Sequence, residues 1–147
     1  MKEQVRIEPI AERHLLGIAE LERVIFAEPW SREALSLLTS PNAFGAVCLL
    51  DGEPVAYGGV LIAVDEGQIT NIAVREDCRQ RGLGHAVMQE LEREARARGL
   101  VQLSLEVRVS NLPALSLYES QGFRTVGCRR NFYSHPKEDA LVMIKTL

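Results

Sequence analysis

The chain has 147 residues, 46% of them hydrophobic, and a formal net charge of −3. Length and apolar content predict a single domain with one substantial core, and the charge argues against broad nucleic-acid binding, which relies on clustered lysines and arginines. No run of about eighteen apolar residues offers a membrane span, and the chain begins without the apolar stretch of a signal peptide, so a soluble cytoplasmic protein with no membrane partner is expected.

Residues 5–8 read as a strand and residues 11–26 as a helix, with Leu15, Ile18, Leu21, Glu22 and Ile25 on a mostly apolar stripe. Pro29 breaks that helix, and Ser31 is placed to cap a short second one running to about Thr39. Residues 44–50 and 54–64 are strand-like and joined by Asp51 and Gly52, both tolerant of positive φ and therefore a hairpin signal. A turn is expected at Asp65, Glu66 and Gly67, followed by an apolar strand from Ile69 to Val74. The next helix places Leu83, Val87, Met88, Leu91 and Ala95 on one face and ends at Gly99. Over residues 101–108, Val101, Leu103, Leu105 and Val107 alternate with Gln102, Ser104, Glu106 and Arg108, which makes Glu106 a carboxylate on the polar face of a strand. Ser110, Asn111 and Pro113 mark the start of a short helix closed by Gly122, and residues 126–132 and 140–144 complete a mixed sheet flanked by helices.

The most informative stretch joins the strand ending at Val74 to Arg79, Gln80, Arg81, Gly82, Leu83 and Gly84 and then to a helix. Two glycines let a backbone close around a ligand, and the helix start offers unpaired N–H groups and the positive end of its dipole, which suits a phosphate or pyrophosphate. A Rossmann fingerprint needs a small residue where Val87 stands, and a P-loop needs a Gly-Lys-Ser/Thr ending that the chain lacks. What remains is Arg-x-x-Gly-x-Gly, which resembles the acetyl-CoA-binding motif of the GNAT acetyltransferase superfamily.

The resemblance extends through Leu105-Glu106-Val107-Arg108, Asn111 and Leu117-Tyr118 to Gly122-Phe123. More narrowly, Phe26-Ala27-Glu28-Pro29-Trp30-Ser31, Asn71 to Val74, Arg129-Arg130-Asn131-Phe132-Tyr133 and Glu138-Asp139-Ala140 resemble the RimI-type ribosomal-protein-alanine N-acetyltransferases. Cys78, Arg79 and His85 depart from the residues common at those positions. The resemblance implies an α+β fold with a central, twisted, mostly antiparallel mixed sheet. It also implies acetyl-CoA as cosubstrate and a protein N-terminus, most simply an alanine of a small-subunit ribosomal protein, as acceptor. Ile72, Ala73 and Val74 would hold the pantetheine arm through their main chain. Arg79, Gln80, Arg81, Gly82, Leu83, Gly84 and His85 would wrap the pyrophosphate, and Asn111 would contact the arm. Trp30, Asn71 and Tyr133 would lie near the acceptor.

Acetyl transfer from a thioester to an amine needs a neutral nucleophile, a polarised carbonyl and a protonated leaving thiolate. Deprotonating an α-amine at neutral pH costs about 1 kcal/mol against about 4–5 kcal/mol for a lysine, so a modest base suffices for an N-terminus. Glu106 is the expected base, acting directly or through a water, and Tyr118 the expected acid. The competing readings are a solvated strand carboxylate for Glu106 and a core tyrosine for Tyr118. Asn111 could equally be a helix cap, Trp30 a core anchor, and Arg129 with Arg130 a solvated pair. Cys48, Cys78 and Cys128 have no metal-ligand or redox spacing, and His14 and His135 lack ligand-spaced partners, so no metal and direct attack without an acetyl-enzyme are expected. A GNAT enzyme for a small amine and a non-catalytic acetyl-CoA-binding module are the alternatives; the oligomeric state is open.

Overall fold

In the computed structural model, which describes residues 4–147, β1 (Val5–Pro9) leads through a 3₁₀ turn (Glu12–His14) into α1 (Leu15–Ile25). Then come α2 (Arg32–Leu35), a second 3₁₀ turn (Ser36–Thr39), β2 (Ala43–Leu50), β3 (Glu53–Ala63) and β4 (Glu66–Val74). A third 3₁₀ turn (Glu76–Cys78) precedes α3 (Leu83–Ala97), and β5 (Gln102–Arg108), α4 (Leu112–Ser120), β6 (Arg124–Ser134) and β7 (Lys137–Thr146) follow. The strands form one sheet in the order β1-β2-β3-β4-β5-β7-β6. Every neighbouring pair is antiparallel except β4 with β5. The signal-peptide reading falls partly on Met1 to Glu3, outside the described residues.

One apolar cluster joins the sheet to α3 and α4 through Val87, Met88, Leu91, Leu103, Leu105, Tyr118 and Phe123. A second covers the other face, with Leu15, Ile18 and Leu21 of α1 and Leu35 of α2 against Val47, Tyr57 and Ala73. Helices on both faces explain why β2 is buried along nearly its whole length rather than at alternate residues. Ser31 caps α2 as expected, accepting the Ala34 N–H at 3.1 Å.

Two features of β4 create the site. Its register with β3 slips between Ile69 and Ile72, where Thr70 and Asn71 together oppose Gly59. This one-residue bulge inverts the alternation, so Ile69 and, beyond the bulge, Ile72 both pack toward the α3 face while Ala73 joins the α1 face. Second, β4 pairs with β5 only from Glu66 to Gln68, against Gln102 to Ser104. Past that point the two parallel strands diverge, leaving one edge of β4 without a strand partner.

The expected turn over Asp65, Glu66 and Gly67 lies earlier, at Val64 and Asp65, and Glu66 and Gly67 already belong to β4. Gly67 is a packing glycine: a Cβ there would meet Val60 Cγ1 at 2.8 Å and Leu103 Cδ2 at 2.9 Å. It permits the close approach of β4 and β5 just before they part. The first helix also begins later than expected, because a 3₁₀ turn occupies Glu12–His14, and Phe26 is already extended. Val101 lies outside β5, while β6 and β7 are longer than expected.

Candidate active site

The divergence of β4 and β5 opens a groove of about 370 Å³. One wall carries Ile69 to Ile72 of β4 and the other Leu105 to Arg108 of β5, while Asn111 enters from the cap of α4 and Tyr118 from α4 itself. The segment Phe26 to Glu28 with Trp30, and the β6–β7 hairpin with Phe132 to His135, complete it. Glu106, Tyr118, Asn111, Asn71, Ile72, Trp30 and Tyr133 of the sequence reading therefore share one space. Ala73, Val74 and residues 79–85 lie outside it, along β4 and the turn before α3.

Glu106 is largely covered, its side chain 14% exposed, and Arg129 Nε lies 3.3 Å from its Oε1. Arg129 is thus not simply half of a solvated pair: it crosses from β6 to the candidate base and also sits over the Phe132 ring at 5.9 Å. Tyr118 is buried against Phe123, with ring centroids 6.1 Å apart, so it is a core residue as well as a groove residue. Burial, and secondarily Tyr133, push its hydroxyl up to about 12, which keeps it protonated throughout the neutral range.

Asn111 is the helix cap of α4, its Oδ1 accepting the Ala114 N–H at 3.2 Å, and the residue also lines the groove. Trp30 packs against the α1-side cluster and also reaches the groove. Tyr133 is held by Arg108, whose guanidinium stacks 4.2 Å from its ring centre. The same guanidinium donates to the carbonyls of Pro136 (2.8 Å) and His135 (3.1 Å) and to Glu138 Oε1 (3.1 Å), fixing the β6–β7 hairpin over the groove. Glu138 in turn accepts the Ser110 N–H at 2.7 Å; that hydrogen bonding and Arg108 hold its carboxyl below the usual range.

At the turn, Gly82 takes φ 77° as the N-cap of α3, with no atom within 4 Å of where a Cβ would stand. Gly84 serves a different purpose, its Cβ position lying 3.3 Å from Leu117 Cδ2 where α3 meets α4. Gln80 also adopts positive φ, at 63°. Arg79 bends back to donate to the Val74 carbonyl at 3.1 Å, and the His85 ring is engaged by Gln121. The first N–H groups of α3 have no intrahelical acceptor, so the helix start and the open edge of β4 together form a run of main-chain donors and acceptors beside the groove. Among the described residues, no group of three or more His, Cys, Asp or Glu gathers where it could hold a metal.

Sequence reasoning missed Arg108 as a groove-shaping residue and did not assign Tyr57 any part. It placed Glu22 on an apolar stripe, and a carboxylate in such a stripe was the available signal. Glu22 is fully buried, and its Oε1 accepts from the Tyr57 hydroxyl and from Asn71 Nδ2 at 3.2 Å.

A splayed parallel pair, a glycine-capped helix start and a groove carrying a carboxylate and a phenol give a surface suited to an activated acyl donor and an acceptor. Residues 15–123 match the Acetyltransferase (GNAT) family, and the chain belongs to it. It is 34% identical over 149 aligned positions to the putative ribosomal protein bS18-alanine N-acetyltransferase of Bacillus subtilis, covering 100% of this chain and 99% of that protein. The ribosomal protein bS18-alanine N-acetyltransferase of Escherichia coli K12 is 35% identical over 125 positions, 84% of each chain. The crystal structure of the ribosomal-protein-S18-alanine N-acetyltransferase from Escherichia coli superposes with a TM-score of 0.90 at 32% identity, covering 97% of this chain and 94% of that one.

Proposed function

We propose that this enzyme transfers the acetyl group of acetyl-CoA to the N-terminal α-amine of a protein, an alanine of the ribosomal protein bS18 being the acceptor its relatives' names indicate. The carrying observation is that Glu106 and Tyr118, from separate elements, face one groove along the unpaired edge of β4. Acetyl-CoA suits this surface: β4 offers peptide groups for the pantetheine amides, and the α3 start offers N–H groups for the pyrophosphate. It supplies an acetyl group already activated as a thioester.

The remaining steps fall to residues of the chain. Glu106, directly or through a water, takes a proton from the acceptor amine as nitrogen bonds to the acetyl carbon. Main-chain N–H groups of β4 polarise the acetyl carbonyl. The carbon–sulfur bond breaks, and Tyr118 gives its proton to the departing thiolate. An acid at about 12 facing a thiolate whose thiol sits near 8.5 works against about 5 kcal/mol. The dry surroundings that raise Tyr118 also raise the proton affinity of a thiolate beside it, which narrows the gap. Of the cysteines, Cys48 and Cys78 are buried and Cys128 lies on the outer strand, which supports direct attack in a ternary complex. The reading places the protein in the cytoplasm as one domain without a metal.

The test is acetyl-CoA-dependent acetylation of peptides differing only in a free or blocked α-amine, alongside small amines, followed by mass spectrometry. Modification confined to free α-amines is expected. Turnover of small amines with inert peptides overturns the acceptor and leaves the donor; acetyl-CoA binding without any turnover overturns the enzyme.

A further inference from the structure

Glu22 is an oddity for a carboxylate. It lies on α1 with no exposed surface, and its Oε1 accepts two hydrogen bonds, from the Tyr57 hydroxyl of β3 and from Asn71 Nδ2 of β4, while its buried Oε2 has no partner among the described residues. Burying a carboxyl is costly, and an apolar residue would fill an α1 core position at lower cost. The mechanism above does not use it.

Asn71 sits in the β4 bulge and lines the groove opposite Glu106. An oxygen that already receives the tyrosine proton accepts from the amide nitrogen of Asn71, not from its oxygen. The amide is therefore fixed with Nδ2 toward the core, leaving Oδ1 as the hydrogen-bonding atom Asn71 offers elsewhere. A neutral primary amine has two N–H groups and one lone pair. Two acceptors on facing walls, one from β5 and one from β4, would take both N–H groups and leave the lone pair a single direction.

We infer that Glu22 is a positioning residue for the acceptor, locking the Asn71 amide so that Oδ1 accepts one N–H of the incoming amine while Glu106 or its water takes the other. The inference rests on reading the groove as the amine site. It extends that reading by assigning a fixed acceptor atom to the β4 wall and a control residue behind it.

A mutant cycle tests it, using steady-state kinetics on an alanine-starting peptide, or on a small amine if that is what the wild type acetylates, so that loss of the peptide reading leaves the inference measurable. Asn71→Ala is expected to lower kcat/KM for the amine about fivefold, the value of one neutral hydrogen bond. Glu22→Met combined with Tyr57→Phe removes the lock without orphaning the tyrosine and is expected to cost about the same. Added to Asn71→Ala, it should cost no more. Glu22→Gln, whose amide oxygen can accept both bonds, should restore wild-type values, and acetyl-CoA affinity should hold throughout. Additive losses in the cycle, or acetyl-CoA affinity falling in step with amine turnover, overturn the inference. So does failure of Glu22→Gln to restore turnover in a variant that melts no lower than the wild type at the assay pH.

Discussion

In the proposed site, the turn before α3 offers peptide N–H and C=O groups, whereas the groove offers side chains from segments as far apart as Phe26 and His135. The turn depends on backbone shape, with Gly82 at φ 77° and Gln80 at 63°, and Arg79 bonds back to the Val74 carbonyl. The groove depends on chemistry held by cross-links: Arg108 to the β6–β7 hairpin, Arg129 to Glu106, and Asn71 to Glu22. Damage to the turn should therefore act on acetyl-CoA affinity, and damage to the groove on turnover.

The sharpest break of that contrast is Glu106→Gln, expected to reduce kcat/KM for a free α-amine by about 10²–10³-fold with acetyl-CoA affinity unchanged by calorimetry. Tyr118→Phe should cost about 10- to 100-fold in kcat, because water can protonate the thiolate less effectively than a placed phenol. On the other side, Gly82→Ala should weaken acetyl-CoA binding about tenfold and lower stability by about 1 kcal/mol while leaving the amine KM alone, since its positive φ strains any residue with a Cβ. Gly84→Ala should do much less, the neighbour being the movable tip of Leu117. If both glycine substitutions lowered turnover instead of affinity, the division between the two regions would fail.

The smallest effect expected is a pH signature of Glu22. Burial, opposed only in part by hydrogen bonds from Tyr57 and Asn71, raises its carboxyl above the ordinary 4.5. The folded protein then binds more protons than the unfolded chain between 4.5 and that raised value, so its stability contribution is whole below 4.5 and is lost as pH climbs through the folded value. Glu22→Gln carries no such charge. Thermal melts should show the variant gaining on the wild type as pH rises from 4.5 to 8, and a constant difference across that range would count against a buried carboxyl that is costly to ionise.

Elements with local signals were legible from the sequence. Ser31 and Asn111 announce helix starts through their own hydroxyl and amide, Asp51 and Gly52 announce a hairpin, and β5 shows its alternation openly, so Glu106 could be assigned a face. The bulge at Thr70 and Asn71 could not be read, because one extra residue shifts the phase of β4 and leaves a run of apolar residues with no visible period. Gly67 looked like a turn residue because a packing glycine and a turn glycine are the same letter. The hairpin's hold on the groove depends on Arg108 meeting Pro136 and Glu138, pairs 28 and 30 residues apart, and contacts that distant leave no mark on local pattern.

The outermost strand has a further consequence. β6 is exposed along almost its whole length and leaves Val126, Cys128 and Phe132 partly open to solvent, the makings of a template for misassembly with other chains. Its pairing with β7 slips between Thr125 and Gly127 and again between Arg129 and Tyr133, where Asn131 takes φ 54° and its N–H turns to Asp139. Regular register therefore never continues for more than three residues, Gly127 to Arg129 being the longest stretch, and Arg124, Arg129 and Arg130 are spread along it. A strand broken this often and this charged is a poor seed for amyloid-like stacking, so removing its irregularities should shorten the protein's shelf life in solution before it changes a rate constant.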